Sequence, residues 1–571
     1  MSPIFPDTIK MKKIIFVFLL LSITIQSCQY RPFLKYYFPS KKTHVARFTK
    51  WEKLVGSNSN PLRSCYNIIC YDWLIHVHPE QKTINATMKI HFRMECNQDS
   101  IMLDLQHHLH IDEIKSSVPL KTTKRKKDIL FVVFNRDLQQ GENVLLEISY
   151  DGKPVEMLNY TAINWEKDKN NKPWICTATE GIGPHHMMPC KNLLSDEPDS
   201  CFIRVGVPKN LVAVSNGHLD SITETKSEKI YNWAVRNPIN IYNISFNIGD
   251  YVKLEKNYQD INLVNRKIQI YPINYNKDIA DTFYNQAPII MQKLENLYGV
   301  YPWWNDGCKI IESSLPKGLC MEHQSAISMT TLAYQNKFKS INYTLVHELS
   351  HEWWGNNITA YDYADLWLHE GFAEYSEALF AEDIIGKEYY NNFIHYFSKL
   401  VVNKRPIIKP YDVKYNNLVH DDDQDIYNKG VMFLHTLRMQ LNDDNLFFKI
   451  LKDTQQRFAK SNITSEQFLL FFNEETKKDF TPFFDVYLKR ISPPIFEFHI
   501  DKSKGDTATL EYRWAEQLPE NFKMKVAVYI GGNANYIYPS SNMQQLKFPI
   551  KQKYIFDIAQ FGYVLLKERK E

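Results

Sequence analysis

The 571-residue sequence has no surplus of one charge: 68 basic and 65 acidic residues leave a formal net charge of +3. That balance gives no reason to expect nucleic acid as a partner. No two of its nine cysteines stand in CxxC spacing, so a zinc site built from cysteine pairs is not expected. No internal repeat is visible. The most apolar run, Ile14–Ile25, is too short to span a bilayer comfortably. With 44% hydrophobic and 23% charged residues, the chain is neither disordered nor a multi-span membrane protein. Its length calls for several domains.

Lys12 and Lys13 precede that apolar run, and Gln26-Ser27-Cys28 follows it. A basic start, a short apolar stretch and a small residue read as an export signal. Ile25-Gln26-Ser27-Cys28 resembles the lipobox of bacterial lipoproteins, in which the cysteine is acylated and becomes the mature N-terminus. The expectation is an exported protein, periplasmic or anchored to a membrane through an acylated Cys28, with the start at Met1 or Met11 left open. A plain cleaved signal or a weak anchor is the alternative. Residues from about Lys35 to Leu62 are polar and basic, which suits a tether near an anionic surface. The other eight cysteines, Cys65, Cys70, Cys96, Cys176, Cys190, Cys201, Cys308 and Cys320, are open to oxidation outside the cytoplasm. Buried free thiols are equally compatible with the sequence.

Hydrophobic patterning divides the remainder into three. From about Tyr66 to Tyr251, short alternating segments such as "ATMKIHFRM", "NVLLEISY" and "YNISFNIGDYVKL" read as strands. "DIADTFYNQAPIIMQKLENLYG" then shows helical spacing and stops at Gly299. Helical patterns continue to about Ile491, where "SPP" punctuates the chain. "TATLEYRW", "MKVAVYIGG" and "FGYVLLKE" return to strands. This predicts an α+β multidomain chain: residues 1–28 for export, 29–62 a linker, 63–251 β, 252–491 mainly α, and 492–571 β. "TTKRKK" at Thr122–Lys127 reads as an exposed turn. "HDDDQD" at His420–Asp425 reads as a solvated loop or an acidic rim that attracts cationic N-termini.

Within the helical part, "TLVHELSHEWWGN" carries the chemistry. His347 and His351 are i and i+4, hence on one helix face. Leu345, Leu349 and Trp353 fall on another face, available to the core, and Gly355 is the expected helix stop. Two imidazoles at this spacing can bind one cation, with Glu348 beside it to take a proton from water. An HExxH match arises by chance roughly 0.03 times in a chain of this composition. The next helical segment, "DLWLHEGFAEYSEALF" from Asp365 to Phe380, offers Glu370 as third ligand, with Asp362 or Asp365 as its cap. Two nitrogens and one oxygen leave a fourth position open, the arrangement of a catalytic rather than a structural zinc.

"HELSHEWWGN" followed by "WLHEGFAEY" resembles the gluzincin zinc aminopeptidases of the aminopeptidase N family, which includes leukotriene hydrolase. "GLCMEHQSAI" at Gly318–Ile327 resembles that family's exopeptidase segment, usually Gly-Ala-Met-Glu-Asn. "DIYNKGVMFLHTLR" at Asp425–Arg438 resembles the segment with its catalytic tyrosine. The order and spacing of these blocks agree from about Tyr66 to the end. The resemblance implies an N-terminal β saddle, a thermolysin-like catalytic domain and a small C-terminal β-sandwich. It implies one Zn2+ per chain on His347, His351 and Glu370, with Glu348 as general base and Tyr427 as oxyanion donor. Substrates would be peptides with a free N-terminus, held by Glu322 and Glu180, with Cys320 and Met321 lining the site.

Several positions depart from the family pattern. Leu319 and Cys320 replace the usual Gly-Ala, so the first side-chain pocket is expected to differ. His323 replaces the commoner Asn, His369 the Asn before the zinc glutamate, and Ala178 a frequent Gln. The backbone around Cys320 is expected to pair with substrate as an added strand. The competing readings are a thermolysin-like endopeptidase, which has no use for an amine anchor, and an inactive surface binding protein.

Overall fold

A computed structural model describes residues 55–57, 60–154, 162–316, 318–330, 341–411 and 424–569. The export segment with Cys28, most of the linker, and residues 420–423 of the acidic run lie outside the described residues.

The N-terminal part is β-rich, as the alternation predicts. Strand Tyr66–His78 turns Trp73, Ile75 and Val77 inward. It is central in a seven-stranded sheet, antiparallel to Thr83–Met94 and parallel to Ser200–Pro208. A four-stranded sheet of Val212–Ser215, Phe246–Gly249, Pro173–Thr177 and Ile163–Lys167 belongs to the same core. Trp73 meets Phe246 across it at 5.9 Å between ring centroids.

Two segments differ from expectation. "TTKRKK" is not a turn: it lies in strand Leu120–Lys126, at the edge of the three-stranded sheet, with the reversal at Lys127 and Asp128. Lysines suit a sheet edge because charge discourages pairing with a second chain. "YNISFNIGDYVKL" is not one continuous strand. Asn240 accepts a hydrogen bond from the Tyr242 amide and closes a 3-10 turn over Ile241–Asn243. In the following stretch Phe246–Gly249 is the strand, and Tyr251 makes a single bridge to Ile273 before the next strand begins at Leu254. The turn buries Tyr242 and Asn243 completely.

The middle part opens with a mixed sheet of Leu254–Gln259, Asn265–Tyr271, Cys308–Ser313 and Ala326–Thr330, the last three parallel. The helical pattern between its second and third strands is interrupted. Lys277–Phe283 gives way to a 3-10 turn at Tyr284–Gln286, and α1 (Ala287–Tyr298) restarts with proline in its first turn and stops at Gly299. Proline has no amide hydrogen and fits there rather than inside a longer helix. Helices α2 (Tyr343–Ser350), α3 (Trp367–Ile384) and α4 (Asn428–Leu441) surround the site.

The C-terminal part packs a four-stranded sheet against a three-stranded one, with Phe496 and Phe556 at 5.3 Å between them. It shares one continuous apolar core with the helices. His435 of α4 spans the junction: its Nδ1 accepts from the Tyr390 hydroxyl at 2.7 Å and its Nε2 donates to the Ile558 carbonyl at 3.0 Å. All eight described cysteines are free thiols, six of them buried.

Candidate active site

Helix α2 begins where the Asn342 side chain accepts from the Leu345 amide at 3.1 Å. It ends earlier than the sequence suggests: His351 is already the C-cap, and Gly355 lies in the turn beyond. Leu345, Leu349 and Trp353 are buried as expected. Gly355 has φ +135°, and a Cβ there would stand 3.3 Å from His351 Nδ1. The early stop makes room for the chain to turn under His351. Asp362 caps the 3-10 turn Tyr363–Asp365 rather than α3 itself, and α3 follows from Trp367. Trp354 lies flat on Phe372, with centroids 3.6 Å apart and planes within 4°, so the turn after α2 is pressed onto α3.

These contacts bring His347, His351 and Glu370 together. Their ligand atoms lie within 4.8 Å of one another, and all three residues are buried. Glu370 Oε2 stands 3.4 Å from His347 Nε2 and 3.5 Å from His351 Nε2. Ligands about 2.0–2.1 Å from a tetrahedral zinc would be about 3.3–3.4 Å apart, so the spacing fits the ion. Both imidazoles are also held in the tautomer a metal requires. His347 Nδ1 faces Glu377 at 3.1 Å and Glu374 at 3.3 Å, and His351 Nδ1 donates to the Trp354 carbonyl at 2.9 Å. Burial would raise the Glu370 carboxyl, but the two imidazoles overcome it and hold it well below the usual range. The metal-like group His110, Asp112 and Asp151 lies on the N-terminal sheet, with the first two exposed.

Glu348 is buried, and burial pushes its carboxyl up to about 8 against the opposing pull of His347 and His351. Tyr427 caps the start of α4, its ring stacked toward His347 at 6.3 Å and 22°. Glu322 is buried and accepts a 2.7 Å hydrogen bond from the Tyr242 hydroxyl. Glu180 follows strand Pro173–Thr177. Burial and then the charges of Glu322, Glu370 and Glu348 push its carboxyl far above the usual range. Its Oε1 is buried with no hydrogen-bond partner among the described residues.

Cys320 is a buried thiol raised to about 12, by burial first and then by the charge of Glu348. Met321 exchanges both backbone hydrogen bonds with Ser328, at 2.9 Å each. It also packs in a small apolar cluster with Cys176, Leu194, Tyr242 and Leu315, against which Ala178, Leu319 and Tyr363 rest. His369 and His323, the two departures from the family asparagines, are buried neutral imidazoles, each pushed down to about 3. His369 Nε2 accepts from the Ala360 amide at 2.7 Å, and His323 Nδ1 pairs with the Ser328 hydroxyl at 3.1 Å.

Sequence reasoning passed over Glu374 and Glu377, although Glu370, Glu374 and Glu377 stand at i, i+4 and i+7 on one face of a buried helix. That spacing was the available signal. Tyr242 and Asn356 carried no local signal, because their partners are far away in sequence.

Residues 308–487 match the peptidase family M1 domain, and residues 68–242 match the peptidase M1 N-terminal domain. Leukotriene A-4 hydrolase from Xenopus laevis is 24% identical over 430 residues, covering 71% of this chain and 68% of that protein. Aminopeptidase B from Rattus norvegicus is 25% identical over 417 residues, covering 68% of this chain and 60% of that protein. Among solved structures, the M1 zinc metallopeptidase from Deinococcus radiodurans superposes with a TM-score of 0.63 at 19% identity, covering 75% of this chain and 95% of that one. At that identity the likeness concerns the fold. With both halves of the M1 pattern matched in order, the chain belongs to peptidase family M1, and His347, His351 and Glu370 fit a zinc site of the HExxH type.

Proposed function

We propose that this chain is a zinc-dependent aminopeptidase that removes single residues from the N-termini of peptides. The observation that carries the reading is the buried, unpartnered Glu180 oxygen beside Glu322, Glu348 and Glu370. One divalent ion does not balance that many buried carboxylates. An incoming ammonium supplies the missing positive charge and the missing donor. An endopeptidase has no such need.

His347, His351 and Glu370 hold the zinc. When bound, it supplies Lewis-acid chemistry, polarising the scissile carbonyl and acidifying water. Glu180 and Glu322 grip the substrate amine, so the first peptide bond falls beside Glu348. Glu348 takes a proton from the attacking water and returns it to the leaving amine. The Tyr427 hydroxyl donates to the oxyanion that develops, an interaction worth about 2.7–4 kcal/mol in comparable sites. Met321 has both backbone groups committed to Ser328, so the free edge for a substrate strand is at Cys320. We also assign the enzyme to an exported, membrane-associated pool tethered through acylated Cys28, on the strength of Lys12, Lys13 and the run to Ile25. Loss of membrane fractionation in Cys28→Ser checks that assignment.

The test is a panel of aminoacyl fluorogenic amides and their N-acetyl counterparts, with and without chelator. Expected are release from the free-amine series only, loss on chelation with recovery on zinc addition, and a fall of about 10²–10⁴-fold in Glu348→Gln. Efficient cleavage of internal bonds in blocked peptides would establish the endopeptidase instead.

A further inference from the structure

The metal and the amine anchor sit on different elements. His351 ends α2, whereas Glu322 lies between the strands Cys308–Ser313 and Ala326–Thr330. Removing one residue, and not two, requires a fixed distance between them. One residue connects the two directly, through its backbone on one side and its side chain on the other. The Asn356 amide N–H donates to the His351 carbonyl at 2.9 Å, and its side-chain Nδ2 donates to the Glu322 carbonyl at 2.9 Å.

Nothing about Asn356 is loose. It is 1% exposed. Nδ2 also donates to Glu352 Oε2 at 3.0 Å, and Oδ1 accepts from Asn243 Nδ2 at 2.6 Å. Both side-chain ends are thus used, and the orientation of the amide is fixed by its neighbours. Glu352 in turn accepts from the Ser325 amide at 3.0 Å, which ties the far end of the Glu322 segment to the same point. Asn243 brings in the N-terminal part of the chain, from the 3-10 turn that also delivers Tyr242 to the Glu322 carboxylate. Neither a serine nor an aspartate offers two amide donors and one acceptor in this geometry.

We propose that Asn356 is the positioning residue that fixes the interval between metal and amine anchor, and so limits the product to a single amino acid. It touches neither substrate nor metal and acts through His351 and Glu322. The inference rests on the aminopeptidase reading above.

Two hydroxamates separate this role from a merely structural one. Leucine hydroxamate engages the metal and the amine anchor together, whereas acetohydroxamate engages the metal alone. In Asn356→Ala, one zinc per chain should be retained. Inhibition by leucine hydroxamate should weaken about tenfold, the effect of one lost hydrogen bond. Inhibition by acetohydroxamate should be unchanged, and KM for aminoacyl amides should rise more than kcat falls. Asn243→Ala, which frees Asn356 Oδ1 and the Gln324 amide without contacting a metal ligand or the Glu322 side chain, should shift leucine hydroxamate in the same direction by about threefold. It keeps the proposal open to refutation if Asn356→Ala does not fold. Equal weakening of both inhibitors, or no change in either, overturns the positioning role while leaving the enzyme an aminopeptidase. A wild-type chain that releases no first residue from any aminoacyl amide overturns the reading beneath it.

Discussion

Gly371 and Gly430 face each other so closely that a Cβ built on Gly430 would stand 2.8 Å from the Gly371 Cα. Gly371 follows the zinc ligand Glu370 in α3, and Gly430 lies three residues after Tyr427 at the start of α4. The contact between two bare backbones sets how near the tyrosine comes to the metal. Gly430→Ala must push the helices apart. A loss of about 1–3 kcal/mol is expected from overpacking, together with a fall in kcat at unchanged zinc content. Denaturant unfolding and metal analysis on the same preparation check both parts. An alanine variant as stable and active as wild type would show that the helices have slack.

The paired carboxylates behind His347 predict a graded loss of metal. Glu377→Gln leaves Glu374 at 3.3 Å to orient the ring, so zinc affinity should fall by about tenfold. The Glu374→Gln, Glu377→Gln double variant should approach about a hundredfold. Competition with a chelator of known affinity reads both. If the double variant binds as tightly as wild type, His347 is oriented by something else.

His435 predicts sensitivity to acid. Burial pushes its imidazole down to about 3, against about 6.5 in the unfolded chain. Below pH 6.5 the unfolded chain therefore takes up a proton that the folded chain refuses. Stability falls as pH drops from about 6.5 toward 3, by up to about 1.4 kcal/mol per pH unit from this residue, and is independent of it above that window. Measured as the difference between wild type and His435→Gln across pH, the slope should appear only in the acid range. A flat difference contradicts the buried neutral imidazole.

Arg63 and Asp104 form a fully buried ion pair at the entrance to the first strand, with Arg63 Nη2 to Asp104 Oδ1 at 2.7 Å. Removing one partner leaves a charge without water or counter-ion. Asp104→Asn should cost about 3–5 kcal/mol, measured by denaturant unfolding. Replacing both with Met and Leu should cost much less, because no orphaned charge remains.

The parts of the site legible in sequence were those with local spacing. His347 and His351 share a helix face by arithmetic, and Glu370 follows in the next helical pattern. The three-part order of β, α and β was legible for the same reason, since alternation and helical periodicity are short-range. What stayed hidden depended on distant partners. "TTKRKK" looks like a turn by composition, and only its pairing with Ile129–Leu138 makes it an edge strand. "YNISF" alternates like a strand, yet Asn240 and Asn216 take its amides and fold it inward. The end of α2 at His351 is set by the chain passing under it toward Glu322, which no periodicity reports.

The apolar core shared by the catalytic helices and the C-terminal sheets has a consequence for how the molecule comes apart. Three regions are visible along the chain, but among the described residues there are two large cores, one for the N-terminal sheets with one side of the sheet that follows, and one for the helices and the C-terminal sheets together. Phe483 meets Phe522 at 4.8 Å, and the Tyr563 amide donates to Thr436 Oγ1 of α4 at 2.9 Å, so the C-terminal part completes the floor beneath α4. Calorimetry should therefore resolve no separate transition for the final strands. Cutting them away would leave the zinc-bearing helices as an aggregation-prone remnant rather than a minimal enzyme.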